Sequence, residues 1–235
     1  MRHYIDLTDQ ALLQIMLNSI EAYVLIHHKQ KTSGIEMHGH FFGNTEKTST
    51  TTRHKIEFFS ADTSAKMKPD FCIPHEDCIS LKSEITRCFS NYHLLGALHT
   101  HPYLEHEIKS PDQHLKFMRT IGCEFSNDDR SAFFDKLSQS GADYLIEGVF
   151  AINHRPRKSF EGDGKLDENL FEFSMGNLKC FIKIQVFSLD SGALIDVPTI
   201  LKCKYLEKFS HIRFSYDFGR IKIKENNEYI LEYKP

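Results

Sequence analysis

The sequence predicts an α/β protein in which helices flank a mixed β-sheet. Apolar residues recur at helical spacing from about residue 12 to residue 26, as one face of an amphipathic helix requires. Two nearly continuous apolar runs, at 94–98 and 144–152, are typical of strands buried on both faces. Shorter runs near the C-terminus alternate apolar and polar residues, which indicates hairpins with one solvated face.

The first half of the chain should contain two helices and a hairpin. The first helix is expected to begin near Thr8 or Asp9, which are good N-caps, and to continue to about residue 28. A strand is expected over 35–43, with a return strand over 54–59. Residues 75–90 have helical spacing, and the predicted buried stripe consists of Cys78, Leu81, Ile85 and Phe89.

In the second half, the strand of 94–101 should stop at Pro102, which cannot donate to a sheet ladder. Ser110-Pro111 then opens a helix that is expected to reach Gly122. A further helix is predicted over Asn127–Ser140, followed by the apolar strand of 144–152, which we expect to be central.

Composition restricts the classes of function. The chain has 235 residues, 40% hydrophobic residues and a formal net charge of −3, so nothing favours a nucleic-acid or anionic-membrane partner. No apolar run approaches the roughly 20 residues that span a bilayer, and the N-terminus lacks an apolar signal region. The six cysteines are scattered, as is typical of reduced core residues. These features predict a cytoplasmic protein.

The most informative motif is the pair of histidines that ends the strand of 94–101. His99 and His101 point to the same side of the strand, since side chains alternate. Asp112 falls in the first turn of the helix that Ser110-Pro111 opens, so its carboxylate can converge with the imidazoles on one cation. Three protein ligands with an open fourth position are typical of catalytic zinc. The alternative is a structural pair, because the chain has fourteen histidines.

A second informative stretch is the strand of 35–43. Glu36 lies at the start of this strand, where burial of its charge would be unfavourable unless the charge has a role. A lysine could pair with it, or it could carry protons for the metal site. His38 and His40 form a rival pair on the same strand face. They could be ligands in another arrangement, or they could orient Glu36.

Together these motifs resemble the JAB/MPN (JAMM) metallopeptidases. The resemblance lies in Glu36-x-x-Gly39-x-x-x-Gly43, in His99-x-His101-Pro102 and in an aspartate, Asp112, with a serine before it. It implies a curved mixed sheet flanked by helices over residues 1–190, with a β-rich extension over 191–235 packed on the same domain. One Zn²⁺ per chain would be held by His99, His101 and Asp112, and Glu36 would be the general base.

One position departs from the family pattern. In the family, a serine three residues before the aspartate helps to stabilise the oxyanion, whereas here that position is Lys109 and Ser110 lies one residue later. Ser110 is our expected oxyanion donor, and a plain N-cap role for Ser110 or donation by Lys109 are the alternatives.

By resemblance, the reaction would be hydrolysis of the peptide or isopeptide bond after the C-terminus of ubiquitin or a ubiquitin-like protein. The partners would be that protein and its conjugates. The C-terminal extension could dock a partner subunit, or it could be an edge hairpin that covers the sheet. In a bacterium, the same resemblance would imply processing for a ubiquitin-like conjugation or defence system. Two other classes stay open, namely a metal-free MPN-type scaffold and a metal-dependent hydrolase of a small amide.

Overall fold

The computed structural model describes residues 1–27, 33–89, 92–104, 111–156, 162–211, 216–225 and 229–233. Four α-helices lie in these ranges: α1 (Asp9–Val24), α2 (Cys78–Phe89), α3 (Pro111–Phe117) and α4 (Asn127–Ser140). The strands are β1 (Arg2–Leu7), β2 (His38–Lys47), β3 (Thr51–Ala61), β4 (Lys66–Met67), β5 (Cys72–Ile73), β6 (His93–Tyr103), β7 (Leu145–His154), β8 (Gly164–Asp167), β9 (Leu170–Met175), β10 (Leu178–Asp190), β11 (Ala193–Val197), β12 (Thr199–Lys202), β13 (Arg220–Ile223) and β14 (Tyr229–Glu232).

A ten-stranded mixed sheet organises the fold. Its order is β12-β1-β3-β2-β6-β7-β10-β9-β8, and β11 pairs with β10 beside this path. The pairs β1–β3, β1–β12 and β6–β7 are parallel, and the other pairs of this sheet are antiparallel. The prediction of a mixed sheet flanked by helices is therefore confirmed, and the apolar strand β7 is central as expected.

Strands β6 and β7 approach closely because of a glycine. A Cβ atom on Gly96 would lie 2.0 Å from the carbonyl oxygen of Ile146 on β7. Any larger residue would push the two central strands apart, which would also move the end of β6.

The helices cover different faces of this sheet. Helix α1 buries Leu12, Ile15 and Tyr23 in the main core, which is continuous with apolar residues of β6, β7 and β10. Helix α4 packs Phe133 and Leu137 on the other face, against Val149 and Phe187 of β7 and β10. No helix in the described ranges is long and apolar enough to cross a membrane.

Several local expectations need correction. Thr8 caps α1 as predicted, but the helix ends at Val24 rather than near residue 28. Strand β6 continues through Pro102 to Tyr103. Thr100 donates its N–H to the carbonyl of Met37, the residue before β2 begins. Pro102 lies two residues later, beyond the part of β6 that pairs with β2. The N–H that proline lacks is therefore not needed for a hydrogen bond of the sheet.

The predicted buried stripe of α2 was also wrong. Cys78 is buried, whereas Leu81 is 59% exposed and Ile85 is 52% exposed. The side chain of Phe89 lies outside the described residues. Helical spacing alone could not show which neighbour the stripe would face, and in the structure α2 rests on the sheet by a narrow contact that includes Thr86.

The C-terminal region adds strands in two places. β11 and β12 join the main sheet, and β12 forms its edge by parallel pairing with β1. β13 and β14 form a separate hairpin, which is tied to the rest by a hydrogen bond from the Leu231 N–H to the Ser33 hydroxyl. The predicted alternation at 212–215 falls outside the described residues.

Candidate metal centre

The ends of β6 and β2 place four polar side chains on one face of the sheet. His99 pairs directly with His38 across the antiparallel strands, so their side chains share a face, and His101 lies on that face two residues later. Val149 pairs with His99 from the other side and packs against α4. The two β6 histidines therefore point toward the amino end of α4.

Helix α4 supplies the carboxylate that meets these histidines. Ser126 caps the helix and accepts from the Asp129 N–H at 3.1 Å, while the Ser126 N–H donates to an Asp129 carboxylate oxygen at 2.8 Å. The Ser126 hydroxyl also donates a hydrogen bond to that oxygen, at 2.7 Å. This reciprocal capping box fixes Asp129 in the first turn, where its negative charge is favoured by the helix dipole.

His99, His101 and Asp129 form what we call the open triad. The Nε2 atoms of the two histidines are 3.0 Å apart, and they lie 3.4 and 3.7 Å from the two Asp129 oxygens. Ligand atoms around a tetrahedral zinc ion are separated by about 3.3 Å, given metal–ligand distances near 2.0–2.1 Å. The three donors can therefore hold one metal ion without large rearrangement.

The expected protonation of His101 and Asp129 also suits the binding of a cation. His101 Nδ1 is 3.3 Å from the carbonyl oxygen of Gly122, which favours a proton on Nδ1 and leaves Nε2 free to ligate. Gly122 ends a π-helical turn, Met118–Gly122, that follows α3. Burial alone would raise the pKa of Asp129, but its contacts with His101, His99 and Ser126 hold the pKa well below its usual range.

Glu36 lies in the same cleft, a space of about 920 Å³. Its backbone N–H donates to the carbonyl of Lys68 at 2.8 Å, so the hairpin of β4 and β5 holds it in place. Burial raises the pKa of Glu36 to about 7, and the charges of Asp129 and Asp70 add to this, partly offset by His101. A carboxylate with such a pKa can both take up and release a proton near neutral pH.

The structure brings together three of the five predicted site residues, Glu36, His99 and His101. Ser110 and the side chain of Asp112 lie outside the described residues; the Asp112 backbone is in α3. Their predicted roles stay predictions.

Sequence analysis missed Asp129, although a signal existed. Ser126-x-x-Asp129 has the serine three residues before the aspartate, the spacing that Lys109 breaks upstream of Asp112. Asp129 was overlooked because it lies much further along the chain from His101 than Asp112 does.

A second cluster lies further along the same face, and we call it the closed triad: His38, His40 and Asp62. Asp62 is bonded by the Nδ1 atoms of His38 and His40 at 2.7 and 3.0 Å. Lys82 places its ammonium on the same carboxylate and also donates to the carbonyls of Ser60 and Ala61, at 2.9 and 2.8 Å. Burial would raise the pKa of Asp62, but these donors hold it well below its usual range.

Comparisons with known proteins leave the family open. No protein-family model matches the chain, and no curated protein sequence matches it. The chain is similar to the solution structure of protein DSY2949 from Desulfitobacterium hafniense, with 14% identity and a TM-score of 0.43. The match covers 89% of this chain and 99% of the other. A TM-score this low supports neither a shared family nor a shared function.

Proposed function

We propose that this protein is a zinc-dependent peptidase or isopeptidase of the JAB/MPN kind. The observation that carries the proposal is the open triad, in which three donors lie 3.0–3.7 Å apart beside a buried carboxylate in one cleft. His99, His101 and Asp129 would hold the ion, so Asp129 takes the role that the motif had suggested for Asp112. Bound zinc supplies Lewis acidity and lowers the pKa of a coordinated water to about 7.

The remaining chemistry belongs to this chain's own residues. Glu36 accepts the proton of the attacking water and delivers it to the leaving amine, a task that suits its pKa near 7. Ser126 stands at the rim of the cleft next to Asp129, so it replaces Ser110 as the candidate donor to the developing oxyanion.

The substrate follows from the sequence resemblance. We infer that the scissile bond follows the C-terminus of ubiquitin or a ubiquitin-like protein, whose extended tail fits a narrow cleft beside the β4–β5 hairpin. Tyr229 of the C-terminal hairpin lines the same cleft, so the C-terminal extension is well placed to influence substrate entry or to dock a partner subunit. Such a conjugation system operates in the cytoplasm.

Zinc content and cleavage test the proposal together. Protein purified without added metal should contain about one zinc per chain, and it should release a reporter from a linear ubiquitin or ubiquitin-like fusion. Glu36→Gln should keep the zinc and lose cleavage by at least about 100-fold, since a general base contributes roughly that much.

The other outcomes separate the alternatives. Well-folded protein that takes up no zinc even when zinc is supplied would overturn the metallopeptidase reading and favour a scaffold. Zinc binding with hydrolysis of small amides but not of fusions would favour the small-substrate hydrolase.

A further inference from the structure

We propose that His38 binds the substrate, with its Nε2 atom accepting a hydrogen bond from the backbone amide N–H on the acyl side of the scissile bond. This inference rests on the proposed function, because it deepens the account of the same cleft. In this role Asp62 is a positioning residue, which acts through the His38 ring.

The position of His38 beside the open triad is the first observation. His38 pairs in register with His99, and residues directly opposite each other on antiparallel strands have Cβ atoms about 4.5–5.5 Å apart. Glu36 lies in the same cleft two residues before His38, close enough to His101 for their charges to interact, and serves the leaving amine. His38 is therefore placed toward the other side of the scissile bond, where the acyl chain must lie.

The second observation is that one ring nitrogen of His38 is already engaged. Nδ1 is 2.7 Å from an oxygen of Asp62, whose side chain is fully buried. An ionised carboxylate can only accept, so Nδ1 carries the proton and donates. The ammonium of Lys82 already balances the charge of Asp62, so the His38 ring donates through Nδ1 as a neutral imidazole and its lone pair lies on Nε2.

That lone pair belongs to a residue of the cleft wall. His38 lines the cleft and keeps 10% of its side chain exposed. A backbone amide that enters the cleft loses its water partners, and an unpaired buried N–H costs about 1–3 kcal/mol. A neutral acceptor already fixed in orientation removes this cost without adding charge beside Glu36.

His40 provides a matched control for the role of His38. It also bonds Asp62 through Nδ1 and is similarly buried, but it is not among the described residues that line the cleft. If the histidines served only to support Asp62, replacement of either ring should have the same effect. If His38 contacts substrate, only its replacement should weaken binding.

Two probes test the hydrogen bond on the zinc-loaded protein. The first is the hydroxamate of acetyl-Gly-Gly, and the second is its depsipeptide analogue, in which the amide N–H nearest the hydroxamate is replaced by an ester oxygen. By calorimetry, wild-type protein should bind the amide probe about tenfold more tightly than the ester. His38→Phe should lose this preference at unchanged zinc content, and His40→Phe should keep it.

Equal binding of the two probes by the wild-type protein, or an unchanged preference in His38→Phe, would overturn the inference. The tautomer is measured separately from the ¹⁵N signals of the histidine rings, and a proton found on Nε2 of His38 would overturn it with the zinc site intact. Failure of the wild-type protein to bind zinc is the distinct result that defeats the proposed function.

Discussion

The open triad and the closed triad are built from the same parts, but in the described residues only the closed triad is paired with a cationic side chain. Each joins two histidines, spaced i and i+2 on one strand, to an aspartate from another segment on the same sheet face. Asp62 of the closed triad already holds the ammonium of Lys82, whose side chain is only 17% exposed. In the described residues, no lysine or arginine forms an ion pair with Asp129, which faces the cleft.

Two histidines and an aspartate can therefore either stabilise the fold or offer a site for a metal ion. A buried carboxylate must be neutralised, and the chain can supply the positive charge itself or leave it to a bound ion. Only the second arrangement leaves a coordination position that a substrate can reach. The presence of two histidines and an acid is therefore not sufficient to identify a catalytic metal site.

The largest expected effect comes from removing the carboxylate of the open triad. Asp129→Asn should reduce zinc from about one ion per chain to a small fraction, because a weak amide ligand replaces an ionised one. Elemental analysis of the purified protein measures this. Asp112→Asn is the matched control and should keep its zinc; the reverse result would restore Asp112 as the ligand.

Lys82→Met tests whether the closed triad depends on its own ammonium. Asp62 would stay buried with hydrogen bonds from His38 and His40 but without the ammonium that balances its charge, which should lower the free energy of unfolding by about 3–5 kcal/mol. Denaturant unfolding measures the change. Lys55→Met, which removes the solvent-exposed partner of Glu57, is the control and should leave the unfolding midpoint close to that of the wild-type protein.

Lys82→Met can also be combined with Asp129→Asn, which removes the expected zinc ligand of the open triad, to test whether the closed triad can bind zinc instead. In an Asp129→Asn background, zinc should restore part of the stability that Lys82→Met removes, since an ion can then occupy the vacated position. An absence of any zinc effect would show that the closed triad has no coordination geometry to offer.

A third histidine pair, which forms no ion pair with a carboxylate of the described residues, is expected to respond to acid. His3 Nδ1 and His54 Nε2 are 2.9 Å apart, and burial, together with the charges of His3 and Lys47, lowers the pKa of His54 to about 4. The unfolded chain takes up this proton near pH 6.5, so stability is lost as the pH falls from about 6.5 to about 4. The loss should be on the order of 3 kcal/mol.

Unfolding measured across that pH range in His54→Gln checks the assignment. The glutamine variant should have a flatter profile, because the group that titrates has been removed. An unchanged slope would mean that other residues carry the acid sensitivity.

The smallest expected effect on stability concerns the cap of α4. Ser126→Ala should cost about 1 kcal/mol and lower the Tm by about 2–4 °C, while the zinc content stays near that of the wild-type protein. Ser131→Ala, at an exposed position inside α4, should leave the Tm within about 1 °C of the wild-type value. A Ser126 variant that loses its zinc would mean that the cap is required to hold Asp129 at the metal.

The sequence was sufficient for those parts of the site that depend on one strand. Alternation along β6 places His99 and His101 together, and the cost of burying Glu36 points to a functional role, because both arguments use local physics. Asp129 could not be placed this way. Its position depends on how α4 packs Phe133 and Leu137 onto Val149 and Phe187, which is a tertiary contact between distant segments.

The same limit explains the errors in the fold. The spacing of α2 predicted a helix correctly, but the burial of Leu81 depended on a neighbour that the sequence does not reveal. Pro102 was expected to end β6 because the local rule considers only the missing N–H. Whether that N–H was needed depended on where β2 begins.

The parallel pairing of β1 with β12 has a consequence for biosynthesis. His3 pairs with Thr199, so β1 lies between β3 and a strand that the ribosome makes much later. Until then, β1 presents an open edge to other chains, and contacts so far apart in sequence form slowly. During translation, this edge is the part of the molecule where a chaperone would be most useful.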